Sequence, residues 1–132
     1  MNLSPKKLVS TFYEADLIHN NEIIKSFLHP DVCLHWNSSS GLFKMKYADI
    51  IALFKGMKDA FESSRSDILE VLAEENKVSI RHDFIVKPIE NEEEELMGHF
   101  MCMWEIKDNK LHTGHMLSQS SDTSSKNLIT FI

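Results

Sequence analysis

The sequence predicts an α+β domain, with helices in the first half of the chain and an antiparallel sheet in the second. Two observations carry this. Apolar residues recur at helical spacing up to the pair Ser63-Ser64 and alternate at strand spacing after it. The second-half runs are separated by Glu74-Glu75-Asn76, by residues 88–95 and by Asp108-Asn109, all rich in turn-forming side chains. The 132-residue length fits one domain able to bury a core without help from disulfides or metals.

Ser4-Pro5 starts the first helix, because serine caps the free N–H groups and proline fits the first turn. Leu8, Phe12 and Ala15 line one face, with Val9 and Tyr13 beside them, out to about His19. Asn20-Asn21 breaks it and starts a short second helix over 22–27, stopped by His29-Pro30-Asp31. Val32, Leu34 and Trp36 then alternate with Cys33, His35 and Asn37 as a half-buried strand. That strand runs into Ser38–Ser40 and Gly41, where the serines are expected to satisfy the turn's own backbone. A third helix over 47–62 carries Ile50, Leu53, Phe54, Met57 and Phe61 on its buried side. Strands follow over 67–73, 77–87, 96–106 and 110–118. The acidic run 91–95 reads as a solvated hairpin tip, 118–127 as a polar segment and 128–132 as an apolar tail that should be docked.

The net charge of −6, from 14 Lys and Arg against 20 Asp and Glu, offers no basic stripe for phosphates, so nucleic acid is a poor partner. No segment approaches the ~20 apolar residues that span a bilayer, and the amino terminus lacks a signal-peptide core, so no membrane partner and a cytoplasmic location are expected. Cys33 and Cys102 read as thiols rather than a disulfide. His112 and His115 lie three apart on a strand and diverge, and no other spacing reads as a metal site. Only four glycines occur, widely scattered, with no phosphate-cradling pattern, and no cofactor is expected.

The element order, with "SFLHPDV" before the first strand and the hairpins "EENKVSI" and "WEIKDNKL", resembles the nuclear transport factor 2-like superfamily, particularly its SnoaL-like branch. The resemblance covers nearly the whole chain as a single domain, 1–132. It implies a cone: a strongly curved antiparallel sheet wrapped around three helices and enclosing an apolar pocket. Family members include a steroid isomerase, dehydratases, polyketide cyclases and dimerising transport factors, so the fold implies a pocket and not one reaction.

Hairpin arithmetic identifies what would line that pocket. A two-residue turn at Asp108-Asn109 pairs Ile106 with Leu111, Trp104 with Thr113, Cys102 with His115 and Phe100 with Leu117, and the same face collects Ile80, His82 and Phe84. Two candidate catalytic residues follow, His82 and His115, which could trade protons on a carbonyl-containing ligand. Phe12, Tyr13, Trp36, Phe100, Cys102 and Trp104 are the candidate ligand-binding walls. A core histidine bonded to a neighbour and a space-filling thiol explain the same pattern. The steroid-isomerase relatives use a tyrosine, an aspartate and an acidic donor where a rough overlay places Phe12, Trp36 and Cys102, with Tyr13 and His35 one residue away. The SnoaL-like cyclases use a pocket aspartate and histidine, and no inward aspartate is read here; Asp83 falls on the outer face opposite His99.

That outer face also carries Ser79, Arg81, Met101, Met103, Glu105, His112 and Met116, which predicts a homodimer there. Two functions follow: a small-molecule-binding domain for an apolar or carbonyl-containing ligand, with isomerase, dehydratase or cyclase chemistry, or a non-catalytic homodimeric interaction module. An open cavity of roughly 300 Å3 or more touching either histidine favours the first.

Overall fold

The computed structural model describes residues 3–121; residues 122–132, with the apolar tail, lie outside the described residues. Helix α1 (Pro5–Glu14) opens with the Ser4 hydroxyl accepting from the Lys7 N–H at 3.2 Å and buries Leu8, Val9, Phe12 and Tyr13. It ends five residues short of the expected His19. Ala15 is extended, and the Asn20 side-chain amide donates to the Asp16 carbonyl at 2.6 Å, so 15–20 form a turn that buries Leu17 and Ile18. Helix α2 (Asn21–Phe27) leads into β1 (Leu28–Ser38), on which Val32, Leu34 and Trp36 are buried as their alternation predicts. Helix α3 (Tyr47–Ala60) starts where the Asp49 carboxylate accepts from the Lys46 N–H at 2.9 Å.

Strands β3 (Phe61–Glu74), β4 (Lys77–Pro88), β5 (Glu95–Lys107) and β6 (Lys110–Ser120) form the expected meander. Three features correct the sequence reading. A short strand β2 (Gly41–Met45) pairs with β1 around a tight turn in which the Ser38 hydroxyl accepts from the Ser40 N–H and donates to the Gly41 carbonyl. Strand β3 begins six residues early, because Ser64 is no loop residue; it is buried and its hydroxyl donates to Asp16 at 3.1 Å. The sheet is mixed rather than wholly antiparallel: in the order β2-β1-β6-β5-β4-β3, the first long strand lies parallel to the last.

Bulges shape this sheet. Glu62 and Leu69 are the extra residues of β3, Met97 of β5 and His112 of β6. Each inserts one residue against a partner strand, which bends the strand and adds twist. The sheet is accordingly curved and unclosed, with the three helices on its inner side.

Candidate functional site

The inner face of the sheet and the helices enclose an apolar cavity of about 80 Å3. Phe12, Tyr13 and Leu17 come from the first helix and the turn after it, Trp36 from β1, and Leu53, Phe54 and Met57 from α3. Ser66, His82, Met97, Phe100, Trp104 and Met116 come from the strands. The volume falls short of the roughly 300 Å3 set as the mark of an open ligand pocket. Met57, Met97 and Met116 are among its lining residues, unbranched side chains that repack at small cost.

His82 is the polar exception in this wall. Strand β4 turns Val78, Ile80, His82, Phe84 and Val86 inward, and only 3 % of His82 is exposed. Its ring lies nearly parallel to Phe100, with centroids 5.4 Å apart, and against Tyr13 at 4.7 Å. Neither Nδ1 nor Nε2 has a hydrogen-bond partner among the described residues. Burial lowers its pKa from 6.5 to about 4, against a small opposing effect from the Asp83 charge. At neutral pH the cavity therefore holds an uncharged imidazole with one donor and one acceptor unused.

The two indoles and the Tyr13 hydroxyl of the wall are hydrogen-bonded. The Trp104 indole N–H donates to the Tyr13 hydroxyl at 2.9 Å, and that hydroxyl is hydrogen-bonded to the Cys102 thiol behind it. Burial pushes Tyr13 well above its ordinary range and Cys102 up to about 12, so both stay protonated. The Trp36 indole N–H donates to the Ser118 hydroxyl at 2.9 Å. Phe12 packs edge-on against Tyr13. Cys102 is buried but stands behind Tyr13 rather than on the cavity, and it faces away from Cys33, so the two remain free thiols.

His115 is not in the cavity, which corrects its expected inward placement. The bulge at His112 shifts the register by one residue beyond Ile106 and Leu111, so that Trp104 opposes Gly114, Cys102 opposes Met116 and Met103 opposes His115. Gly114 has a local reason for this position. A Cβ there would lie 2.7 Å from Leu34 and 2.8 Å from the Trp104 ring, so a residue with no side chain is what the indole requires opposite it. Met116 thus faces the cavity, while Leu117 and His115 face out.

On the outer face His115 stacks on His35, ring centroids 4.7 Å apart at 8°. His35 lies 3.5 Å from the Cys33 sulfur, and its pKa is lowered, first by desolvation and then by the neighbouring His115. His99 and Asp83 form the expected outer pair at 2.7 Å. The lining residues missed by sequence reasoning are Leu17, Leu28, Ser66, Met97 and Met116. The last two follow from bulges, and only the pairing of Gly114 with Trp104 gave a signal. Among the described residues no three His, Cys, Asp or Glu side chains are arranged to hold a metal, and no helix is long and apolar enough to cross a membrane.

A sequence model of the SnoaL-like domain matches residues 9–112, most of the chain. The chain belongs to the SnoaL-like family. No curated protein matches it by sequence. Among solved structures, this SnoaL-like chain is similar to IdmH of Streptomyces antibioticus, provisionally assigned as a polyketide cyclase, at 11 % identity and TM-score 0.75, covering 89 % of this chain and 93 % of that one. It is also similar to an epoxide hydrolase of M. tuberculosis at 11 % identity and TM-score 0.70, covering 87 % and 82 %. An NTF2-like protein of unknown function from Burkholderia pseudomallei aligns at 16 % identity and TM-score 0.68 over 97 % and 99 %. At these identities the likeness establishes the fold alone; the SnoaL-like family matched over residues 9–112 is itself a branch of the nuclear transport factor 2-like superfamily.

Proposed function

We propose that this SnoaL-like chain binds a compact, mostly apolar small molecule inside the cone, and that neutral His82 hydrogen-bonds its carbonyl. The observation that carries this is the unpartnered imidazole of His82 in an otherwise apolar wall. A buried polar group left unpaired costs ~1–3 kcal/mol, a cost that a ligand oxygen would remove. An uncharged imidazole polarises a carbonyl by donation without first giving up a proton, which suits isomerase, dehydratase or cyclase chemistry at a carbon beside that carbonyl. With His115 outside, the two-histidine acid–base pair is replaced by a single donor. The polyketide cyclase assignment of one structural neighbour and the epoxide hydrolase activity named for another are consistent with a cone used for small molecules.

Trp36 and Trp104, the only tryptophans of the chain, both line the cavity and report on its occupancy. Titrating acetophenone and its hydrocarbon counterpart isopropylbenzene against tryptophan fluorescence tests the reading. In His82→Phe the ketone should lose about tenfold in affinity, with the hydrocarbon unchanged or tighter; equal effects on both ligands would overturn it.

A second reading concerns the outer face, where Met101, Met103 and Leu117 are 54 %, 52 % and 62 % exposed side by side on β5 and β6. We propose that two copies of the chain meet there, since contiguous exposed apolar side chains mark association surfaces. Light scattering after size exclusion should give twice the chain mass at tens of micromolar, and a monomer would count against it.

A further inference from the structure

A second recess adjoins the cone. It encloses about 210 Å3 and shares two wall residues, Leu17 and Phe54, with the cavity. Its remaining character is the opposite of the cavity's: His19, Asn21, Lys55 and Lys58 supply its polar side chains, and no carboxylate lines it. On a chain of net charge −6 this is a local reversal of sign. Neither Lys55 nor Lys58 is in an ion pair among the described residues. Glu62, whose backbone carbonyl accepts from the His19 ring, has its carboxylate held by Lys87 instead. The side-chain oxygen of Asn21 is buried without a hydrogen-bond partner among the described residues.

From this juxtaposition we infer that the ligand of the cone is an amphipathic anion, whose apolar body occupies the cavity and whose carboxylate or phosphate sits between Lys55 and Lys58. The inference rests on the small-molecule reading given above and narrows its ligand class. An apolar cavity with one neutral imidazole offers an anion no counter-charge, and moving a charge into that medium without one is costly. Two ammonium groups at solvent depth remove the difficulty, since the charged end keeps most of its water and gains attraction. Phe54, half-buried on α3, lines both spaces together with Leu17, and rotation of its ring would join them. The unpartnered oxygen of Asn21 would take a donor, so a ligand with a hydroxyl or amide N–H near its anionic end fits better than a bare acid.

The probes are ω-phenylalkanoates with two to six methylenes and the ω-phenylalkanols of equal length, titrated against tryptophan fluorescence of the full chain in low and high salt. For one chain length the alkanoate should bind about tenfold tighter than its alkanol. That ratio should collapse towards one in Lys55→Gln/Lys58→Gln and in high salt, where exposed charges are screened. Both substitutions are on exposed positions of α3, so a folded variant is expected, with the far-ultraviolet circular dichroism of the parent. Equal binding of alkanoate and alkanol at every length, or a ratio indifferent to both lysines and salt, would overturn the inference and leave the cone reading standing. Failure of every alkanol and alkanoate to perturb either tryptophan would remove the cone reading, and this inference with it.

Discussion

His82 and His115 lie on the two faces of one sheet, and the faces treat an imidazole in opposite ways. Inside, His82 is pressed between Tyr13 and Phe100, stripped of water, held neutral and left without a partner. Outside, His115 is exposed and stacks on His35. The same residue type is therefore a buried, unpartnered group in one setting and an exposed surface side chain in the other. Environment, and not residue identity, decides which histidine can do chemistry.

The largest effects come from breaking the boundary between these faces. Gly114 and His115 are sequence neighbours on opposite sides of β6, so Gly114→Val should cost about 3 kcal/mol of unfolding free energy by driving methyl groups into Leu34 and Trp104. His115→Val should stay within about 0.5 kcal/mol. Urea denaturation of both variants checks the register directly: without the bulge the order would reverse.

The pH dependence of stability sharpens the contrast. His82 titrates near 6.5 when unfolded and near 4 when folded, so between these values the unfolded chain binds the proton more readily and stability falls as pH falls. The loss should total about 3 kcal/mol by pH 4, with full stability above pH 6.5. Comparing urea midpoints of the parent and His82→Phe across this range isolates the effect. The variant should lose that slope and, at pH 7, gain about 1–3 kcal/mol from removal of an unpaired polar group. A more stable protein with a weaker hold on ketones is the expected sign of a binding group maintained at a cost to the fold.

Smaller effects mark the satisfied parts of each face. Tyr13→Phe leaves the Trp104 N–H without its acceptor and should cost about 1–3 kcal/mol, with a blue-shifted tryptophan emission as the accompanying readout. Outside, Met103→Lys should change monomer stability by no more than about 0.5 kcal/mol while abolishing association in light scattering.

The helices and the four-strand meander were legible because periodicity reports which face is buried, and that reading placed His82, Phe100, Trp104 and Trp36 inward, where the structure has them. The register of β6 was not legible from turn counting, since Asp108-Asn109 sets only the first pairs and one extra residue at His112 inverts everything after Thr113. A glycine opposite the bulkiest side chain was the local clue. The short strand β2 escaped notice because its side chains are exposed, so no burial pattern marks it. The basic recess escaped because His19, Asn21, Lys55 and Lys58 are brought together only by the packing of α3 against the turn after α1.

The central claim is that His82 is an uncharged hydrogen-bonding group waiting for a ligand oxygen. Nitrogen-15 chemical shifts of its imidazole test this most directly, recorded from pH 7 to pH 4 with and without acetophenone. The ring should stay neutral throughout pH 7 to 5, and one ring nitrogen should shift on adding the ketone, with the exposed His115 ring unmoved. A His82 ring already protonated at pH 6, or one indifferent to a ketone that is seen to bind, would contradict it.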